Sequence, residues 1–103
     1  MQAISAEARS ALFFKALSHP ERIRLVVALA GGPLCVSQLH GTSALDFSSV
    51  SRHVKQLAQA DVVEVEPCGR EKMAKLKNQD VLLFLKNLGV KIPVRKNTPR
   101  CAC

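Results

Sequence analysis

Ser48-Ser49-Val50-Ser51-Arg52-His53-Val54-Lys55-Gln56-Leu57-Ala58-Gln59-Ala60 is the stretch that decides how this chain is read. Val50, Val54 and Leu57 fall at i, i+4 and i+7, so one face of a helix is apolar and packs inward. The other side carries Ser48, Ser49, Ser51, Arg52, Lys55, Gln56 and Gln59. All of these can hydrogen-bond and none is a carboxylate. His53 sits beside the apolar stripe, where a structural role and a phosphate contact are both open. Asp46 is a good N-cap for this helix, with Ser49 three residues on.

Working outward, the period changes after Ala60. Val63-Glu64-Val65-Glu66 and Lys72-Met73-Ala74-Lys75-Leu76 alternate as half-buried strands do, with Pro67-Cys68-Gly69-Arg70 as the turn between them. Asp80 is expected to cap a last helix with Val81, Phe84, Leu85 and Leu88 on one face, broadened by Leu82 and Leu83 and ended by Gly89. Towards the N-terminus, Ser5 to Leu17 reads as a helix striped by Ala8, Leu12, Ala16 and Leu17 and widened by Phe13 and Phe14. Ser18-His19-Pro20-Glu21 starts a second helix, with Ser18 as cap and Glu21 completing a capping box. Gly31-Gly32-Pro33 stops it, and Cys35 to His40 is a short third helix.

The fold class is therefore mainly α with a small β-hairpin, in the order ααααββα: a winged helix-turn-helix. Residues 1–89 form the domain, and residues 90–103 a basic, flexible C-terminal tail. A helix fits the major groove of B-DNA, where each base pair presents a distinct pattern of donors and acceptors. Ser48, Ser49, Ser51, Arg52, His53, Lys55 and Gln56 are the candidate DNA contacts on that helix, and Arg70 and Lys72 those on the hairpin. The first and last helices are apolar over more than one face, which suits a homodimer joined through Leu12, Phe13, Leu82 and Leu85.

Charge agrees with a polyanionic partner. Of a net +7 over 103 residues, residues 1–50 carry four Lys/Arg against three Asp/Glu, and residues 51–103 carry eleven against five. Each phosphate neutralised by such a surface releases counterions. With 48% apolar residues the chain can build a core, and no apolar run spans a bilayer. The expectation is a soluble, cytoplasmic protein with no membrane partner, whose cysteines are free thiols in a reducing compartment. No paired carboxylates with a histidine partner, phosphate loop or nucleophile motif points to an enzyme.

Lys15-Ala16-Leu17-Ser18-His19-Pro20-Glu21-Arg22-Ile23-Arg24-Leu25 and Ser48-Ser49-Val50-Ser51-Arg52-His53-Val54-Lys55-Gln56-Leu57 resemble two signatures of the ArsR/SmtB family of metal-responsive repressors, arsenic-responsive members included. The likeness runs from about Ala11 to Leu88. It implies a homodimer on a palindromic double-stranded operator, released when an inducer binds. No permanent cofactor is implied.

The departures from the family bear on the inducer. Arsenic-sensing members carry Cys-Val-Cys at the start of the third helix, where this chain has Cys35-Val36-Ser37. The family's zinc site on the last helix uses Asp and His, and no histidine follows His53. The usual wing tyrosine is missing, with Met73 and Ala74 in its neighbourhood. There remain Cys101 and Cys103, two thiols one residue apart that can bite one soft ion. Arg95, Lys96 and Arg100 nearby favour their thiolates. The inducer expected is As(III) or Sb(III), methylated As(III) included, with Cys35 or Cys68 as third ligand. The preferred reading of Cys35 is nevertheless a small buried residue, and that of Cys68 a turn residue. A thiol redox or persulfide sensor and a constitutive DNA-binding protein are the alternatives on the same scaffold.

Overall fold

The computed structural model describes residues 5–92. Its elements are α1 (Ala6–Ala16), α2 (Pro20–Ala28), β1 (Leu34–Cys35), α3 (Val36–Gly41), α4 (Phe47–Gln59), β2 (Val63–Cys68), β3 (Glu71–Leu76) and α5 (Asp80–Asn87). A single 3-10 turn, Leu29–Gly31, closes α2. The order expected from sequence lacked β1. It pairs antiparallel with β3, Leu34 opposite Ala74, and makes the hairpin a three-stranded sheet in the order β1-β3-β2.

Local chemistry explains the boundaries. Ser5 caps α1, its hydroxyl accepting from the Ala8 amide at 3.2 Å. α2 is capped by His19 and not, as the sequence suggested, by Ser18. The His19 Nδ1 accepts from the Glu21 amide at 3.2 Å, while the Ser18 hydroxyl donates backwards to the Lys15 carbonyl. Glu21 pairs with Arg24 and takes no part in a capping box. Asp80 is the first residue of α5; Gln79 is its N-cap, and the Asn78 side chain accepts from the Asp80 amide at 2.9 Å.

α4 and α5 end alike. Val62 N–H donates to the Leu57 carbonyl and Asp61 N–H to that of Ala58; Val90 and Gly89 do the same to Leu85 and Lys86. This is the Schellman closure, which needs a left-handed residue after the cap. Gly89 supplies it with φ 96°, and Asp61 with φ 63°.

The core is built from the apolar stripes of these elements. Leu25, Val26, Leu39, Val50, Leu57 and Val62 are its most deeply buried large side chains. Leu34, Val63 and Ala74 bring the sheet into the same cluster. The hairpin turn is only Gly69-Arg70, with Gly69 at φ 62°, so Pro67 and Cys68 belong to β2. β2 is an edge strand, where a proline removes no needed ladder hydrogen bond.

Candidate nucleic-acid interface

Val50, Val54 and Leu57 clamp α4 onto the body, and that fixes which of its residues face outward. Ser48, Ser51, Arg52, Lys55 and Gln59 are exposed on one side, with no carboxylate among the helix residues. Phe47, at the first position, is also exposed, and its ring meets His40 edge-on at 5.8 Å. Ser49 is half-buried and turned to the cap: its hydroxyl donates to Asp46 at 2.5 Å.

Gln56 lies elsewhere than the outer face expected of it, and His53 takes the structural one of its two open roles. Both are half-buried against α2 and meet Arg22. The Arg22 Nε donates to His53 Nδ1 at 3.0 Å, and another guanidinium nitrogen donates to Gln56 Oε1. A third contact, at 3.4 Å, reaches the Ala16 carbonyl at the end of α1. One guanidinium thus ties three helices together. Arg22 was missed because an arginine near a helix start reads as surface until its partners are known. Burial, reinforced by the Arg22 charge, holds the His53 imidazole below its ordinary pKa.

At the hairpin, Arg70 and Lys72 are exposed at the tip. Glu64 and Glu66 both pair with Lys75, 3.5 Å from each, so one cation is shared between two carboxylates. These exposed pairs add little stability. They leave the cations at the tip without an opposing carboxylate among the ion pairs of the described residues.

The apolar surface lies on the first and last helices, shifted from the residues expected. Leu12, Phe14, Leu83, Phe84 and Leu88 are the large apolar side chains exposed there. Phe14 and Phe84 join the two helices into one patch, their ring centroids 6.0 Å apart. Phe13 and Leu82 are half-buried against the core, and Leu85 is 4% exposed inside it. Leu85 faces its own chain because it sits four residues after the buried Val81, on the inward stripe of α5.

Cys35 is 1% exposed, in β1, which agrees with its reading as a small buried residue. Cys68 is half-buried at the end of β2. Neither is a free thiol, contrary to expectation, so in this state neither offers a thiolate as third ligand. Among the described residues no cluster of three or more His, Cys, Asp or Glu could hold a metal. Cys101 and Cys103, with Arg95, Lys96 and Arg100, lie outside the described residues.

Residues 19–65 match the family model described as "Bacterial regulatory protein, arsR family". A curated Synechocystis protein, "Transcriptional repressor SmtB homolog", is 34% identical over 70 residues, which cover 68% of this chain and 53% of that protein. The chain belongs to the ArsR/SmtB family. That family comprises transcriptional regulators and not enzymes. The chain spans about half the length of this curated relative.

Solved structures share the fold. A homodimeric winged helix-turn-helix DNA-binding domain from Mycobacterium bovis, a possible ArsR-family regulator, aligns with a TM-score of 0.71 at 19% identity, covering 86% of this chain and 87% of that one. Rv0081 from M. tuberculosis aligns with a TM-score of 0.69 at 26% identity, covering 84% and 88%. Among the described residues, no helix is long and apolar enough to cross a membrane.

Proposed function

We propose that this ArsR/SmtB-family chain is a repressor that binds a palindromic double-stranded DNA operator as a homodimer. The outer face of α4 is the recognition surface, and the β2–β3 tip contacts phosphate. The observation that carries this is the division of α4. Its apolar stripe is buried, and its opposite face presents Ser48, Ser51, Arg52, Lys55 and Gln59 with no repelling carboxylate. The Mycobacterium bovis domain of the same fold, a homodimeric DNA-binding domain, supports the same reading. So does the patch around Phe14 and Phe84, since an exposed apolar surface rimmed by charge suits association of two copies.

The inducer in this proposal is As(III) or Sb(III), held by Cys101 and Cys103. Ser37 removes the second thiol of a helix-three site, and α5 has no histidine. A ligand releases DNA only if it binds the DNA-free form more tightly. The test is a gel shift on duplex selected from random-sequence DNA, with arsenite, a persulfide donor or neither. Arsenite should dissociate the wild-type complex but not that of Cys101→Ser, Cys103→Ser. If arsenite still dissociates the double variant, the tail is not the sensor.

The bonded state of Cys35 and Cys68 favours one second reading, a thiol redox regulator. Under it, dithiothreitol and not arsenite changes DNA affinity, and Cys35→Ser or Cys68→Ser abolishes that response.

A further inference from the structure

We propose that Arg22 and His53 form a proton-sensitive clamp that sets the pose of the recognition helix, so that protonating His53 releases the helix and weakens DNA binding. This rests on α4 being the DNA-reading element.

The geometry assigns the tautomer. His53 Nδ1 accepts from Arg22 Nε at 3.0 Å, so the imidazole is neutral with its proton on Nε2. A proton taken from solvent onto Nδ1 would turn that acceptor into a donor facing another donor. It would also set an imidazolium against a guanidinium. The contact would then be lost and become repulsive, and Gln56 and Ala16 would share a guanidinium that must move.

The surroundings reinforce this. From the α2 side, the His19 ring lies tilted at 51° against His53 with centroids 4.8 Å apart, and Arg22 faces it directly. Glu21, the nearby carboxylate that would favour the charged ring, is engaged by Arg24. On α4 itself the neighbour is Arg52. Lys15, at the end of α1, lines the adjoining cavity with Arg22 and Gln56. Cations therefore outnumber anions around the ring. Burial first, and then these charges, lower the His53 pKa, so the ring stays neutral to a lower pH than an ordinary histidine does.

The sign follows from linkage. A histidine with a depressed folded pKa stabilises the fold fully above its unfolded value of about 6.5. That contribution is lost as pH falls through the folded pKa. The pose of α4 and the stability of the fold should weaken over the same window.

Arg22 and His53 are positioning residues, and the pH profile separates that role from a general structural one. The test compares wild type with His53→Gln, whose amide oxygen still accepts from Arg22 but does not titrate. The probe is a duplex selected by the wild-type protein from random-sequence DNA at pH 7.5. Wild-type affinity should fall about tenfold or more between pH 7.5 and about pH 5, the scale of one lost charge-assisted contact. His53→Gln should stay within about threefold across that range, a smaller change than losing one hydrogen bond. The Tm of each protein without DNA is recorded over the same range and should drop more for the wild type. Parallel affinity and Tm curves for the two proteins would overturn the clamp. If no duplex is ever selected, the DNA reading fails, and the Tm curves alone decide the clamp.

Discussion

The hydroxyl of Ser49 donates to the carboxylate of Asp46 at 2.5 Å, across the first turn of α4. This bond fixes the start of the helix and removes Ser49 from the surface that faces outward. It also holds the Asp46 carboxyl below its usual pKa, the Ser49 hydrogen bond being the largest cause. A depressed carboxylate stabilises the fold above its unfolded pKa of about 3.9, and that support is lost as pH falls through the folded value. Asp46→Asn should therefore flatten the acid limb of the Tm–pH curve below about pH 4. A variant whose curve superimposes on the wild type would show that this cap carries no linkage.

The apolar patch gives a paired prediction. Leu83→Glu with Phe84→Glu should leave the helical circular dichroism intact and yield monomers in sedimentation, since both side chains are exposed on α5. Leu85→Lys should instead lose the native spectrum, because it puts an unpaired charge into the core. A dimer that survives the double glutamate substitution would place the partner copy elsewhere.

The two Schellman closures predict opposite signs. Gly89→Ala should destabilise by about 1 kcal/mol, since φ 96° is strained for a residue with a Cβ although nothing lies within 4 Å to clash. Asp61→Gly should raise Tm, because it relieves a left-handed residue at φ 63° and gives up only an exposed ion pair to Lys77. Thermal melts check both; a lower Tm for Asp61→Gly would mean that the pair outweighs the strain.

At the hairpin, Arg70→Ala with Lys72→Ala should weaken binding to every duplex about equally and lower the salt slope by about 2, near one unit per phosphate contact. Anisotropy titrations at several salt concentrations measure this. Loss confined to one sequence would mean that the hairpin reads bases.

Much of this architecture is legible in the sequence because its signals are periodic. Val50, Val54 and Leu57 give α4, and the alternation of Val63 to Glu66 and of Lys72 to Leu76 gives the hairpin. β1 was not legible: Leu34-Cys35 is too short to show a period, and only its pairing with Ala74 and Met73 makes it a strand. Gln56 was misplaced, and the role of His53 left open, for a related reason. They lie at the border between the inner and outer faces of α4, where a helical wheel does not decide, and Arg22 draws them inward. Leu85 looked available for a partner because α5 is apolar nearly all round; packing against the body selects Val81 and Leu85 as its inner stripe.

The measurement closest to the central claim is the affinity of Arg52→Ala for a duplex selected by the wild-type protein. Arg52 is exposed on the outer face of α4 and makes no side-chain hydrogen bond or ion pair among the described residues. Its removal should leave folding and sedimentation unchanged. It should weaken binding by about 1–3 kcal/mol, roughly 5- to 150-fold. Wild-type affinity in a folded Arg52→Ala protein would contradict the assignment of α4 as the element that reads DNA.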